Sequence, residues 1–133
     1  MGYHITIIDT QEDTTETVYF SSFLPARHIR WYNGDPMDCF CYFHEGTQML
    51  GSPGSDDLSG EWEPDWDFCL KMTYRTMGYL DAYDITTHPN YSEETRSGLE
   101  ACLQKDQGIY EQILGICQNG VSFPGRFLVR MSY

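Results

Sequence analysis

Basic residues are scarce in this chain. Its 133 residues hold eight lysines and arginines against twenty aspartates and glutamates, a formal charge of −12 at pH 7. Nucleic acid is bound through cations that release counterions from the phosphate backbone, so direct binding of nucleic acid is not expected. The same deficit disfavours anionic membrane surfaces. No apolar run approaches the roughly twenty residues of a membrane span. The start, "MGYHITIID", has no basic segment and its apolar run stops at Asp9, so it does not read as an export signal. The five cysteines, at 39, 41, 69, 102 and 117, are an odd number and fit a disulfide framework poorly. Reduced thiols in a cytoplasm are the expectation. The sequence also lacks a nucleophile elbow, a phosphate-binding loop and an H-E-x-x-H helix, so no enzyme class and no cofactor are indicated. Myristoylation-like Gly2 and Thr6 and the sequon at Asn90 are short enough to arise by chance.

Aromatic residues, at 15% with ten tyrosines, are too frequent for a disordered chain. One domain over residues 1–133 is the expectation at this length. Only 51–60, glycine-rich and acidic, resembles an exposed loop.

Tyr3, Ile5 and Ile7 alternate with His4, Thr6 and Ile8, a strand pattern, and "TVYFSSF" over 17–23 reads as its hairpin partner. "MDCFCYFH" reads as a further strand with Cys39, Cys41 and Phe43 on one face. From Glu61 to Arg75, Trp62, Pro64, Trp66, Phe68, Leu70, Met72 and Tyr74 occupy the even positions and mostly charged or polar residues the odd ones. That period of two predicts a ribbon with carboxylates on one face and tryptophans on the other, turning at Gly78 into "YLDAYDI". The competing reading is a helix with Pro64 at its first position and Asp65 and Asp67 at its positive end, in which Phe68 and Met72 would fall away from Trp66, Leu70 and Tyr74. Late in the chain, Leu99, Cys102 and Leu103 follow Ser92 as a helical stripe with Ser92 as N-cap, and Ile109, Ile113, Ile116 and Cys117 repeat it up to a stop at Gly120. A break near Gly108 predicts two helices. Residues 126–131 then alternate again. The resulting fold class is α+β: an antiparallel sheet of about five to seven strands, one or two C-terminal helices packed on one face, and a final strand returning to the sheet.

Cys39, Cys41 and His44 do not have structural-zinc spacing, and no second cysteine pair follows. The carboxylates of 56–67 fit neither register of a calcium loop. No metal is expected. Arg27, His28 and Arg30, beside Trp31 and Tyr32, form a basic island suited to a small anion or nucleotide, and the alternative function is a small-ligand-binding protein or enzyme that uses them; neutralising the chain's own acid explains them more simply. The acidic stretch points elsewhere. Asp56, Asp57, Glu61, Glu63, Asp65 and Asp67, with Trp62 and Trp66 as anchors, suit docking of a basic protein surface. The expectation is therefore a small cytoplasmic inhibitor that occupies the cationic groove of a nuclease or other nucleic-acid-binding complex by imitating phosphate charge. Toxin-neutralising immunity proteins and phage anti-defence proteins, anti-CRISPR proteins among them, are similar in size and charge, a likeness of composition alone.

Overall fold

The computed structural model describes residues 3–20, 39–50 and 60–132. Strand β1 (Tyr3–Asp9) and strand β2 (Thr14–Phe20) form a hairpin as expected, but β2 begins three residues before the 17–23 segment read from the sequence, and the connection is correspondingly tighter. Helix α1 (Cys39–Met49), helix α2 (Trp66–Asp81), a 3-10 turn at Ile85–Thr87 and helix α3 (Arg96–Ser122) follow, and strand β3 (Phe127–Ser132) closes the chain. The sheet is antiparallel with order β2-β1-β3.

The alternation in β1 explains how the layers meet. Ile5 stands between Val18 and Met131, and Ile7 between Glu16 and Val129. Ile5, Ile7, Val18, Val129 and Met131 are buried on the face that meets the helices. On the reverse face Thr6 and Thr17 share a hydrogen bond of 3.1 Å. From the helices come Tyr42 and Phe43 of α1, Trp66, Cys69, Met72 and Leu80 of α2, and Tyr110, Ile113, Ile116 and Cys117 of α3. Thr73 closes a polar link inside this core: its hydroxyl donates to the Cys69 carbonyl at 2.7 Å and lies 2.8 Å from the Tyr42 hydroxyl.

Two segments expected as strands are helical and a third, "YLDAYDI", is not a strand, so the sheet has three strands among the described residues and not five to seven. In α1 the buried positions are Tyr42, Phe43, Gly46 and Thr47, a helical stripe in which successive residues do not alternate. In α2 the buried stripe is Trp66, Cys69, Met72, Thr73, Thr76 and Leu80. It depends on a cysteine and threonines, which a reading by hydropathy assigns to the wet side. Tyr74, placed by alternation among the apolar residues, is exposed. The helix also runs through Gly78, so "YLDAYDI" is no strand, and its last residue is Asp81.

Asp65 decides where α2 begins. It adopts an extended backbone, and its Oδ1 accepts the amide of Phe68 at 3.1 Å, while its carbonyl accepts Cys69 N at 3.0 Å. Such an N-cap contributes about 1 kcal/mol and satisfies a donor with no partner inside the helix. Asp67, in the first turn, complements the positive end of the helix dipole.

α3 is one helix, not two. Gly108 sits in its interior without breaking it, because a row of buried side chains from Leu99 to Cys117 holds the helix against the core. Ser92 does not cap α3 directly. It heads the turn before it, accepting the Thr95 amide on both its hydroxyl and its carbonyl, and Thr95 holds the N-cap position. The Cys39–Cys41 side chains, residues 21–23 and the 51–59 part of the expected loop lie outside what the structure describes.

Candidate functional site

Among the described residues, those nominated from sequence are spread over a sheet edge, a helix cap, an exposed helix turn and the core. Asp56 and Asp57, like the basic trio Arg27, His28 and Arg30, lie outside the described residues. Glu61 stands across from Arg130, 3.7 Å away. Trp62 is joined to Val129 by two backbone hydrogen bonds, 2.9 and 2.7 Å, which extend the edge of the sheet beside β3 by a single residue pair. Its indole Nε1 is buried and has no hydrogen-bond partner among the described residues. Glu63 is half-buried, and Asp65 is the cap of α2. Asp67 is exposed and pairs with Lys71 one turn on at 2.8 Å. Trp66 is only 5% exposed. It packs edge-on against Phe43 with ring centres 5.8 Å apart, and its indole donates to the Phe127 carbonyl at 3.3 Å. The expected tryptophan-backed anionic ribbon is therefore absent: one tryptophan belongs to the core, and the carboxylates are divided among a helix cap, a sheet edge and two ion pairs.

The structure draws attention instead to the turn end of the β1–β2 hairpin. The inward face of the sheet is apolar at Ile5 and Ile7 but ends in Asp9, and the inward positions of β2 run from Val18 through Glu16 to Thr14. Above this polar margin lies the last turn of α3. The chain leaves α3 through "FPGR": Arg126 N donates to the Phe123 carbonyl at 3.2 Å, with Gly125 at φ 81°. Proline then glycine at the two central positions matches a type II turn, whose third residue needs a positive φ. Between the hairpin and this turn lies a hollow of about 300 Å³, lined in part by Thr14, Glu16, Asn119 and Phe123.

Arg126 forms one wall. Its Nε and Nη2 donate to Asp9 Oδ1 and Oδ2, both at 2.8 Å, a bidentate pair. Its guanidinium also lies 5.2 Å from the Phe123 ring centre and 5.1 Å from that of Phe127. Asp9 in turn organises the hairpin loop, its Oδ1 accepting the amides of Gln11 at 3.0 Å and Glu12 at 3.2 Å. The Arg126 hydrogen bond, assisted by those amides against partial burial, holds the Asp9 carboxyl at about 2, below its ordinary 3.8. Glu16 accepts from Gln112 Nε2 at 2.7 Å, tying β2 to α3.

This linkage has a defined sign. A carboxyl whose folded pKa is depressed stabilises the fold fully above its unfolded value and loses that contribution as pH falls through the folded one. The Asp9–Arg126 pair is expected to stabilise above pH 3.8 and to weaken as the medium approaches about 2. Denaturation followed from pH 6 to 2 should show that loss, and Arg126→Met should flatten this part of the profile. An unaltered profile in the variant would mean that Asp9 owes its acidity to the loop amides alone.

Two of the thiols are placed for packing. Cys69 and Cys117 are fully buried, and burial pushes both thiols up, Cys117 to about 12, so neither is a ready nucleophile at neutral pH. Among the described residues no three His, Cys, Asp or Glu side chains gather as a metal set would. None of the described helices is long and apolar enough to cross a membrane.

No family of known proteins matches this chain, and no curated protein or solved structure is significantly similar to it.

Proposed function

We propose that this protein works as an acidic inhibitor in a reducing cytoplasm, docking on the basic surface of a nucleic-acid-handling protein such as a nuclease and displacing its nucleic acid. The supporting observation is how the fold uses its few cations. Lys71, Arg96, Arg126 and Arg130 each face a carboxylate of the chain itself: Asp67, Glu100, Asp9 and Glu61. With eight cations for twenty carboxylates, pairing every one of them still leaves the −12 surplus uncompensated. Among the described carboxylates Asp106 is the one that is buried, and Glu12, Asp13 and Glu16 lie exposed around the hairpin turn, where the nearby Arg126 is committed to Asp9. A surface of one sign attracts a partner of the other over a distance set by ionic strength.

The test begins with capture on the immobilised protein. The captured partner should be basic, should release as salt rises, and should lose its hold on nucleic acid while bound. Two sets of neutralised variants then locate the contact: Glu12→Gln, Asp13→Asn and Glu16→Gln at the hairpin, and Glu61→Gln, Glu63→Gln and Asp67→Asn at the originally nominated stretch. Asp65 is left intact because α2 needs its cap. The hairpin set is expected to weaken binding about tenfold and to flatten its salt dependence, since exposed pairs contribute up to roughly 1 kcal/mol each. A partner that binds equally well at high salt, or that still holds nucleic acid in the complex, would sink the reading.

A further inference from the structure

We propose that the hollow between the hairpin turn and the last turn of α3 receives an arginine or lysine side chain of the basic partner, so that this is the point where the docked surface is gripped. The proposal rests on the functional reading above and names its anchoring contact. Four properties of the hollow agree on a cation. Its ionisable walls are Asp9, Glu16 and Arg126, two carboxylates against one guanidinium, and that guanidinium is already bidentate to Asp9. Glu16 is therefore the surplus charge, and Gln112 holds it in place from α3.

The second property is the helix end. α3 spans 27 residues and has no basic residue in its last turn, so the partial negative charge at its carbonyl end has no cation within the helix. Third, the aromatic wall is half open: Phe123 is 48% exposed although it is a large apolar side chain. A ring face attracts a cation through its quadrupole, and here the preference is already realised, because Arg126 lies within stacking reach of both Phe123 and Phe127. Fourth, the volume, about 300 Å³, falls at the small end of ligand sites, enough for one side chain and not for a folded element. An anion placed in the same hollow would approach Arg126 but would also meet Asp9, Glu16 and the helix carbonyls. A neutral apolar group would fill the space beside Phe123 yet leave Glu16 desolvated.

The probe is N-acetyl-arginine amide, titrated into isotope-labelled protein while backbone amide signals are followed. Saturable shifts are expected at Thr14–Glu16 and Asn119–Phe123, with the norleucine analogue producing none. Glu16→Gln keeps the acceptor for Gln112 and removes only the charge, and it should weaken the probe about fivefold. Phe123→Ala should abolish saturation. Thermal melts of both variants establish that they remain folded. Absence of saturable shifts, an equal response to the norleucine amide, or a response to inorganic phosphate in place of arginine would each overturn the proposal. The two readings also fail separately. A basic partner whose affinity is indifferent to Glu16→Gln and Phe123→Ala removes the hollow from the contact and leaves the inhibitor reading standing. Arginine binding in the hollow, with no basic protein captured, does the reverse.

Discussion

Gly120→Ala is expected to destabilise the protein by about 3 kcal/mol, the upper part of the usual range for an overpacked core, or to prevent folding. A methyl group at Gly120 would fall inside the indole of Trp66. The ring cannot retreat. Phe43 packs edge-on against it, its Nε1 is tied to the Phe127 carbonyl, and it is 5% exposed. Either α3 moves away from α2, opening the core along Thr73 and Cys117, or the indole leaves its place. Urea denaturation measures the loss, and Trp66→Phe in the Gly120→Ala background should restore part of it, because the smaller ring makes room. A midpoint equal to that of the parent protein would show that α3 does not rest on Trp66. The same glycine reads in the sequence as a helix stop, yet the helix continues to Ser122. Its role is close approach of two elements and not termination.

Trp66 also shows why the fold was only partly legible. The strands of the hairpin follow from simple alternation, because one face of β1 is core and the other is not. The long helix follows from isoleucines and leucines at helical spacing. The stretch from Glu61 to Arg75 misleads because alternation and helical periodicity compete there. Phe68 and Leu70 are partly buried at the flanks of α2, while Thr73 and Thr76 are fully buried in its stripe. Thr73 tolerates the interior through its bonds to the Cys69 carbonyl and the Tyr42 hydroxyl, partners that come from a neighbouring turn and another helix. Hydropathy cannot anticipate that satisfaction. Asp65 was the available signal: an aspartate directly before the first helical residue, with Asp67 in the first turn, marks the start of a helix. α1 hid for a related reason, since its stripe is completed by Gly46 and Thr47. Gly46 lets the helix approach α2, where a Cβ would stand 2.9 Å from the Cys69 sulfur.

The hollow at the hairpin end was less legible still. Its components were visible separately: Asp9 ending an apolar alternation, Pro124 next to Gly125, and Arg126 at the head of the last alternating stretch. What joins them is register. Asp9 faces Thr14 on one side and Phe127 on the other, so 117 positions of separation collapse into a bidentate pair. A one-residue slip would turn Asp9 and Glu16 to the reverse face, and single-sequence patterning does not fix the register. Total charge, by contrast, was legible at once and survives every correction to the fold. It is the distribution that changed. The nominated stretch uses Glu61, Asp65 and Asp67 for pairing and capping, with Glu61 and Asp67 still exposed, and the hairpin adds Glu12, Asp13 and Glu16 at the surface.

Gly108→Ala and Gly115→Ala together are expected to stabilise the protein by about 2 kcal/mol, since each interior glycine costs close to 1 kcal/mol of helix propensity relative to alanine. Both lie inside α3, and a Cβ at either position would meet nothing within 4 Å. The gain arises in the unfolded chain, which loses freedom, and not from a new contact. Thermal unfolding should move up by several degrees while the helical signal of the folded state stays unchanged. The pair discriminates between two descriptions of α3. If the helix broke at Gly108, alanine there would strain the break and lower the melting temperature. If α3 is continuous from Arg96 to Ser122, the double variant gains and Gly120→Ala loses, although all three changes add the same methyl group to the same helix. Because Asn119 and Phe123 reach the hollow from the far end of α3, the stabilised variant should also bind N-acetyl-arginine amide as the parent does. A loss of that binding would mean that the helix end must give way to admit its ligand.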